Sequence, residues 1–511
     1  MTLCSILFKG ADSGGFPVAR DAPAYFADLN LDQIVDAVTA GRQDYDLHPF
    51  YCTPLRDPDA IRYRQEIFRD LESGSLYGRI SAFTQQMRSM RGYLARAQRL
   101  HYPRQRNRWF LGAVDMYADA VNGLAQGLTL ETLTSRGFLD FRDYVTGYVQ
   151  SDRFAALQAQ TKALIADLAS VRYSLHIKGN RIEVRGYEDE SDYSAEVEKT
   201  FEKFKQGAVK DYRVSFSDGP DMNHIEAQIL DFVARLHPQP FSALDRYCAE
   251  NVDYLDGTIG RFDREVQFYL AWLEHLAPLR RAGLPFCYPQ LDDACKDVHV
   301  RDAFDLALAH RLARENAPVV CNDVHLSGKE RILVVTGPNQ GGKTTFARTF
   351  GQLHHLACIG CPVPGREARL FLFDRIFTHF EQEEDIQNLR GKLEDDLVRI
   401  HRILDQATPA SIVIINEIFT STTLQDAMFL SRKVLEAVLA LDLLCVCVTF
   451  IDELASLSEK TVSLVSAVDP ANPTVRTYRI ERRPADGLSY AISIAERHGL
   501  TYAGLKARIR S

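Results

Sequence analysis

The sequence predicts a multidomain chain, in which a mostly α-helical part is followed by an α/β domain built on a largely parallel sheet. Three observations carry that expectation. At 511 residues the chain is long enough for two to four domains, each able to bury a core. Up to about residue 316, apolar residues recur mainly at helical spacing. From about residue 317, short apolar runs alternate with amphipathic stretches, the rhythm of strands joined by crossover helices.

Composition narrows the classes. Hydrophobic residues make up 46% and charged residues 25%, an ordinary globular balance that excludes a disordered, collagenous or membrane-embedded chain. No run approaches the roughly 20 apolar residues of a membrane span. Sixty Lys+Arg against 68 Asp+Glu give a net charge of −8, which argues against nucleic-acid binding by bulk charge and leaves a local basic stripe open. Ten cysteines are too sparse for a disulfide scaffold. Cys445 and Cys447 sit in an apolar run as small hydrophobes, and Cys358-x-x-Cys361 has no second pair at zinc-site spacing. The apolar stretch before Lys9 and Asp12 is too short for a signal peptide. A cytoplasmic protein with no membrane partner is expected.

The first part contains long helical stretches such as Ile80–Leu100 and Phe110–Leu128. Between them and the α/β part, two alternating runs flank the turn Gly179-Asn180 and predict a hairpin over 173–185. Its register sets Ile177 opposite Ile182 and Leu175 opposite Val184. The acidic patch after it (Glu188, Asp189, Glu190, Asp192) reads as a solvated loop or helix start. In the second part the expected strands are Ile332–Val335, Leu370–Phe373, Ile412–Ile415 and Leu443–Phe450, then Thr461–Val468 and Thr474–Glu481. Ile386, Leu389, Leu393, Leu397, Ile400 and Leu404 recur at steps of three and four, a helix with one buried face.

Gly337-Pro338-Asn339-Gln340-Gly341-Gly342-Lys343-Thr344, followed by Thr345, fits the phosphate-loop (P-loop, Walker A) pattern between a strand and a helix. Glycines let backbone N–H groups close around phosphates, and the helix N-terminus adds a favourable dipole. Lys343 is placed for the β/γ-phosphates of ATP, and the Thr344 hydroxyl for Mg²⁺. Such a site needs an acidic element at the end of a neighbouring buried strand, and Ser411–Glu417 supplies one. Asn416 stands where a metal-supporting Asp is usual and would hold Mg²⁺ through water, while Glu417 is the candidate catalytic base beside Lys343. Asn416 lacks a negative charge, so weak turnover is expected.

Thr336–Thr345 resembles the ATPase loop of the MutS mismatch-repair family, in which Pro-Asn-x-Gly-Gly-Lys is distinctive. Asp374-Arg-Ile-Phe-Thr378, Glu417-Ile-Phe-Thr-Ser-Thr-Thr423 with Asp426 beyond it, and Ser489-Tyr-Ala resemble further family segments in the family's order. Val319-Val320-Cys-Asn322 resembles the stretch that holds the adenine, which puts Val319 and Val320 against the base. Upstream, Pro54–Gln65 resembles the entry to the family's helical core. The resemblance implies a helical core and lever region over 1–316, then an ATPase domain over 317–511 of the ABC-like type, closed by helices that dimerise. It implies ATP and Mg²⁺ as ligands, a homodimer and DNA as a partner.

The departures matter as much. The family's mismatch-reading domain with its Phe-x-Glu wedge, its connector and its Smr nuclease domain have no counterpart, and the 173–185 hairpin is at most a remnant of the clamp. The signature Ser-Thr that reaches the partner's nucleotide is replaced by Gly391-Lys392, and the His after the last core strand by Phe450. A short MutS-like ATPase is therefore expected, gripping DNA by shape or backbone. From Arg79 to Val114 there are eight Arg and no acid, with Tyr93, Tyr102 and Trp109 interleaved. Arg104, Arg106 and Arg108 are the candidate DNA contacts; a solvated helix face or contacts to this protein's own acids are the competing readings. The alternative function is a nucleotide-gated protein-binding scaffold with little hydrolysis. An ABC-type or SMC-like enzyme is disfavoured because Leu-Ser-Gly-Gly is missing.

Overall fold

The computed structural model describes residues 5–10, 19, 21–189, 222–381, 391–469 and 475–485, with Glu196, Thr200, Leu500, Tyr502 and Lys506 besides. Its contacts group the chain into two compact units. One takes Met1–Glu72, Thr134–Phe138 and Arg264–Ser511; the other takes Ser73–Leu133 and Leu139–Asp263. The expected boundary at 316/317 follows sequence rhythm, whereas these units follow packing.

The second unit is helical. Gly74–Arg99 and Pro103–Leu130 pack along each other, followed by Asp152–Ala169, His224–Leu236 and Pro238–Glu250. Phe141 stacks on Phe262 at 3.6 Å in its core, beside buried Phe83, Val114 and Val121. The hairpin forms from Tyr173–Lys178 and Arg181–Gly186 with Ile177 opposite Ile182 and Leu175 opposite Val184, the expected register. Its apolar face is largely open: Ile177 is 71% exposed. Glu188 and Asp189 follow it, while Glu190 and Asp192 lie outside the described residues.

The first unit centres on a six-stranded sheet. Its spatial order is Ile376–Phe380, Ile412–Asn416, Leu444–Val448, Ile332–Thr336, Thr461–Val468 and Arg476–Arg482. The first five strands run parallel and the sixth antiparallel. Continuous apolar runs such as Ile412–Ile415 suit strands covered on both faces. One face carries Ile332, Val334, Val413, Ile415, Cys445 and Cys447 against Ile400, Val434, Leu435 and Val438 of the helices Lys392–Gln406 and Leu424–Leu441. The helix Lys343–Cys358 packs on the strands Ile412–Asn416 and Leu444–Val448. At Gly351 a Cβ would come within 2.8 Å of Ile414 Cδ1, so the helix lies flush on the sheet.

Two expectations are corrected. Leu370–Phe373 is not a strand of this sheet: Glu367–Phe371 belongs to a separate four-stranded sheet, and Ile376–Phe380 is the edge strand instead. Strands also occur before residue 316, at Phe286–Cys287, Gln290–Asp292 and Val298–Ala303, where a helical rhythm was expected. Residues 5–8, the short apolar stretch before Lys9, are buried. Glu265 accepts from the Ser5 hydroxyl at 2.9 Å and from the Ile6 N–H at 2.8 Å. Fully buried Arg64 donates to the carbonyls of Leu7 (3.0 Å) and Ile359 (2.9 Å), tying this segment to the end of the loop helix. Of the expected 386–404 helix, Lys392–Gln406 is seen; Ile386 and Leu389 lie outside the described residues, as does Ser489 with its closing helix.

Candidate functional site

The strand Ile332–Thr336 is buried at every position and delivers the chain into the loop Gly337–Gly342. Two close approaches explain glycines there. A Cβ on Gly341 would meet Ser466 Oγ at 2.2 Å and the Pro338 carbonyl at 2.9 Å, and one on Gly337 would meet the Ser466 backbone at 3.1 Å. Ser466 Oγ in turn donates to the Gly341 carbonyl at 2.7 Å, fixing the loop to the adjoining strand. The helix begins at Lys343 without a side-chain cap, so its first N–H groups are left for a ligand.

Lys343 is almost fully buried. Its ammonium donates to the carbonyls of Gly337 (2.9 Å) and Pro338 (3.2 Å) and to Asn339 Oδ1 (3.4 Å). It lies 4.0 Å from Glu417 Oε1 and 4.5 Å from the Phe450 ring centroid. Burial lowers the Lys343 pKa, and the Glu417 carboxylate opposes that shift. Burial likewise raises the Glu417 pKa, with Lys343 opposing. The pair is thus held with each member's charge partly disfavoured by desolvation and partly restored by its neighbour.

Thr344 Oγ1 donates to Asn416 Oδ1 at 2.9 Å, joining the loop helix to the neighbouring strand end. Neutral oxygens at this junction suit a hard, water-shelled Mg²⁺ that takes most of its ligands from phosphate and water. Glu417 follows in a left-handed conformation (φ 58°), as do Phe419 (φ 59°) and, in the loop, Gln340 (φ 59°). Of these, Gln340 and Glu417 line the site, and such residues cost roughly 1–3 kcal/mol each, a pattern of functional sites.

Both flanks of the loop open on one cleft of about 590 Å³. Asn339 to Thr345 and Glu417 form one side, and Val319, Val320, Phe304, Leu308, Arg311 and Tyr478 are on its wall. The sequence-predicted Val319 and Val320 are therefore brought to the loop. Tyr478 was not foreseen. It has φ 59°, and its carbonyl accepts from Asn322 Nδ2 at 3.1 Å, while Asn322 Oδ1 accepts from the Ile480 N–H at 2.7 Å. No local sequence signal marks a tyrosine for that place in the strand Arg476–Arg482; Asn322, 156 residues away, clamps it there. The cleft is partly apolar with a cationic phosphate loop at one end, the form of a small-molecule site.

Other predicted elements serve structure. Asp374 accepts from Thr408 Oγ1 (2.6 Å) and Ser411 Oγ (2.8 Å), bracing the turn before the edge strand. Thr423 caps the helix that carries Asp426, and Gly391 precedes the helix at Lys392. Cys358, Cys361, His354 and His355 are all buried; His355 bonds the Tyr51 carbonyl and the Tyr25 hydroxyl.

Residues 333–506 match the family model of MutS domain V. The chain is 32% identical over 229 residues to the DNA mismatch repair protein MutS of Zymomonas mobilis, covering 43% of this chain and 25% of that protein. It is 32% identical over 184 residues to that of Shouchella clausii (35% and 21%) and 37% over 120 residues to that of Chloroflexus aurantiacus (23% and 12%). Over residues 333–506 the chain is thus similar to the MutS family. The match covers a quarter or less of the length of these relatives, and the MutS domain V region is the part with the loop, Asn416 and Glu417.

In the helical unit the candidate DNA residues part company. Arg104 is paired with Asp231 at 2.9 Å and lies 5.5 Å from the Phe241 ring, a contact to the protein's own acid. Arg106 and Arg108 are exposed, as are Arg88, Arg96 and Arg99. Tyr93 packs on Trp109 at 4.6 Å, with Arg96 5.8 Å from the indole. No described helix is long and apolar enough to cross a membrane.

Proposed function

We propose that the chain is a MutS-like ATPase of the cytosol, working as a homodimer. Its nucleotide state would govern the grip of its helical part, 1–316, on the backbone or shape of DNA, with ATP bound in the 317–511 part. The observation that carries this reading is the single cleft lined by Lys343, Thr344, Glu417, Val319, Val320 and Tyr478. In it, the adenine rests against Val319 and Val320 with Tyr478 nearby, and the phosphates lie on the N–H groups of Gly337–Thr345. Thr344 and Asn416 would hold Mg²⁺, the latter through water, and the ion would supply positive charge against the phosphates. Lys343 turns from the loop carbonyls to the β/γ-phosphates. Glu417 orients and deprotonates water.

Asn416 brings no charge to the metal, which favours a second reading, a nucleotide-gated protein scaffold with little hydrolysis. One experiment separates them. Steady-state ATP turnover is measured for wild type and Glu417→Gln, with fluorescent-ATP titration alongside. Loss of the base should lower turnover by at least ~10²-fold and leave ATP affinity intact. Equal turnover in both proteins removes Glu417 as the base and leaves the scaffold reading.

A further inference from the structure

On the four-stranded sheet, His299 and His325 stand directly opposite each other across the antiparallel strands Val298–Ala303 and Asn322–Leu326. Their Nδ1 atoms are 3.4 Å apart, with the rings 87° to each other. The other ring nitrogen of His299, Nε2, lies 3.1 Å from Glu367 Oε1 on the strand that flanks it on the far side. A carboxylate only accepts, so it fixes the proton on Nε2 and leaves the Nδ1 lone pair facing His325. The gap between the two Nδ1 atoms is long for a hydrogen bond. It matches the roughly 3.3 Å that separates two imidazole nitrogens each about 2.0–2.1 Å from a tetrahedral ion.

We propose that His299 and His325 form a binding site for a divalent transition ion of the zinc, nickel and copper class, with Glu367 as the positioning residue for His299. A carboxylate–histidine pair of this kind sets tautomer and ring orientation. Among the described residues no three His, Cys, Asp or Glu side chains converge on a metal position, so water completes the coordination. Arg301 lies 3.5 Å from the same Glu367 oxygen; its charge disfavours a bare cation and leaves imidazole-seeking metals preferred over Mg²⁺ or Ca²⁺. The bound ion would clip together two strands, one of which starts at Asn322 in the nucleotide cleft.

The test is calorimetric titration of the full chain with Ni²⁺, without nucleotide, repeated for His299→Ala, His325→Ala, Glu367→Gln and Lys343→Ala. One ion per chain is expected, with affinity lowered at least ~10-fold in either histidine variant and about 10-fold in Glu367→Gln. Lys343→Ala should bind Ni²⁺ as wild type does. Both histidines are exposed, so their replacement should leave the thermal melt in metal-free buffer unchanged. Absence of wild-type binding, or equal affinity in both histidine variants and wild type, overturns the site. Histidine-dependent binding that ignores Glu367→Gln overturns the positioning role, and a loss in Lys343→Ala assigns the ion to the phosphate loop.

Discussion

Lys343 and Glu417 meet across a 4.0 Å contact in a place where burial disfavours both charges. Replacing Lys343 with Ala should weaken ATP binding by roughly 10- to 150-fold, the range of about 1.5–3 kcal/mol for hydrogen bonds to a charged group. Fluorescent-nucleotide titration measures it, and unchanged affinity would return the loop to a structural role. A second expectation concerns pH. Glu417 works as a base only when ionised, and its raised pKa moves ionisation above the ordinary carboxylate value of about 4.3. As pH falls, turnover should therefore fail earlier than for an ordinary carboxylate. Lys343, lowered by burial, loses its proton below the usual lysine value, so the alkaline limb should also come early. A kcat–pH profile without an acid limb above the usual carboxylate range would remove Glu417 from the rate-limiting step.

Between residue and domain, the loop depends on the strand Thr461–Val468 as much as on its own glycines. Ser466 bonds the Gly341 carbonyl and fills the space that a Cβ on Gly341 would need. Gly341→Ala must displace either Ser466 or the Pro338 carbonyl, an overpacking that costs roughly 1–3 kcal/mol. The expected outcome is a lowered melting temperature together with weakened ATP binding. A variant that melts and binds as wild type does would mean that the loop shifts freely. The same dependence explains the strand assignment. Leu370–Phe373 is the more apolar run, yet Ile376–Phe380 holds the sheet edge, because Asp374 is anchored by Thr408 and Ser411 at the start of the neighbouring strand. Those partners lie 34 and 37 residues downstream, out of reach of any local pattern.

For the molecule as a whole, the proposed grip on DNA rests on local rather than net charge. The chain carries net −8, and the helical unit still exposes Arg88, Arg96, Arg99, Arg106 and Arg108 within a short span. If these contact phosphates, replacing Arg104, Arg106 and Arg108 together by Ala should weaken matched and mismatched duplexes alike. Each phosphate contact contributes about 0.9 to the log–log salt slope, so loss of Arg106 and Arg108 should flatten it by about 1.8. Arg104, already paired with Asp231, should add less. Salt titration of wild type beside the triple variant checks this, with ATP affinity as the control. An unaltered slope assigns the stripe to a solvated helix face, and a tenfold wild-type preference for a mismatch refutes backbone reading.

The phosphate loop, Asn416, Glu417 and the hairpin register were legible because each is a local pattern. Glycine spacing, an apolar run ending in Asn-Glu, and alternation about Gly179-Asn180 state their geometry within a few residues. The parallel order of strands was legible only as a class. Its edge strand, the burial of residues 5–8 by Arg64 and Glu265, and the placement of Tyr478 were not. Val298–Ala303 alternates buried and exposed positions, yet its partners are the strands at 322–326 and 367–371. Helix and loop chemistry is decided by neighbours in sequence. Which strands pair, which arginine meets an acid and which tyrosine turns into the cleft are decided by hydrogen bonds and ion pairs between residues tens to hundreds of positions apart, and these exist only once the chain has packed.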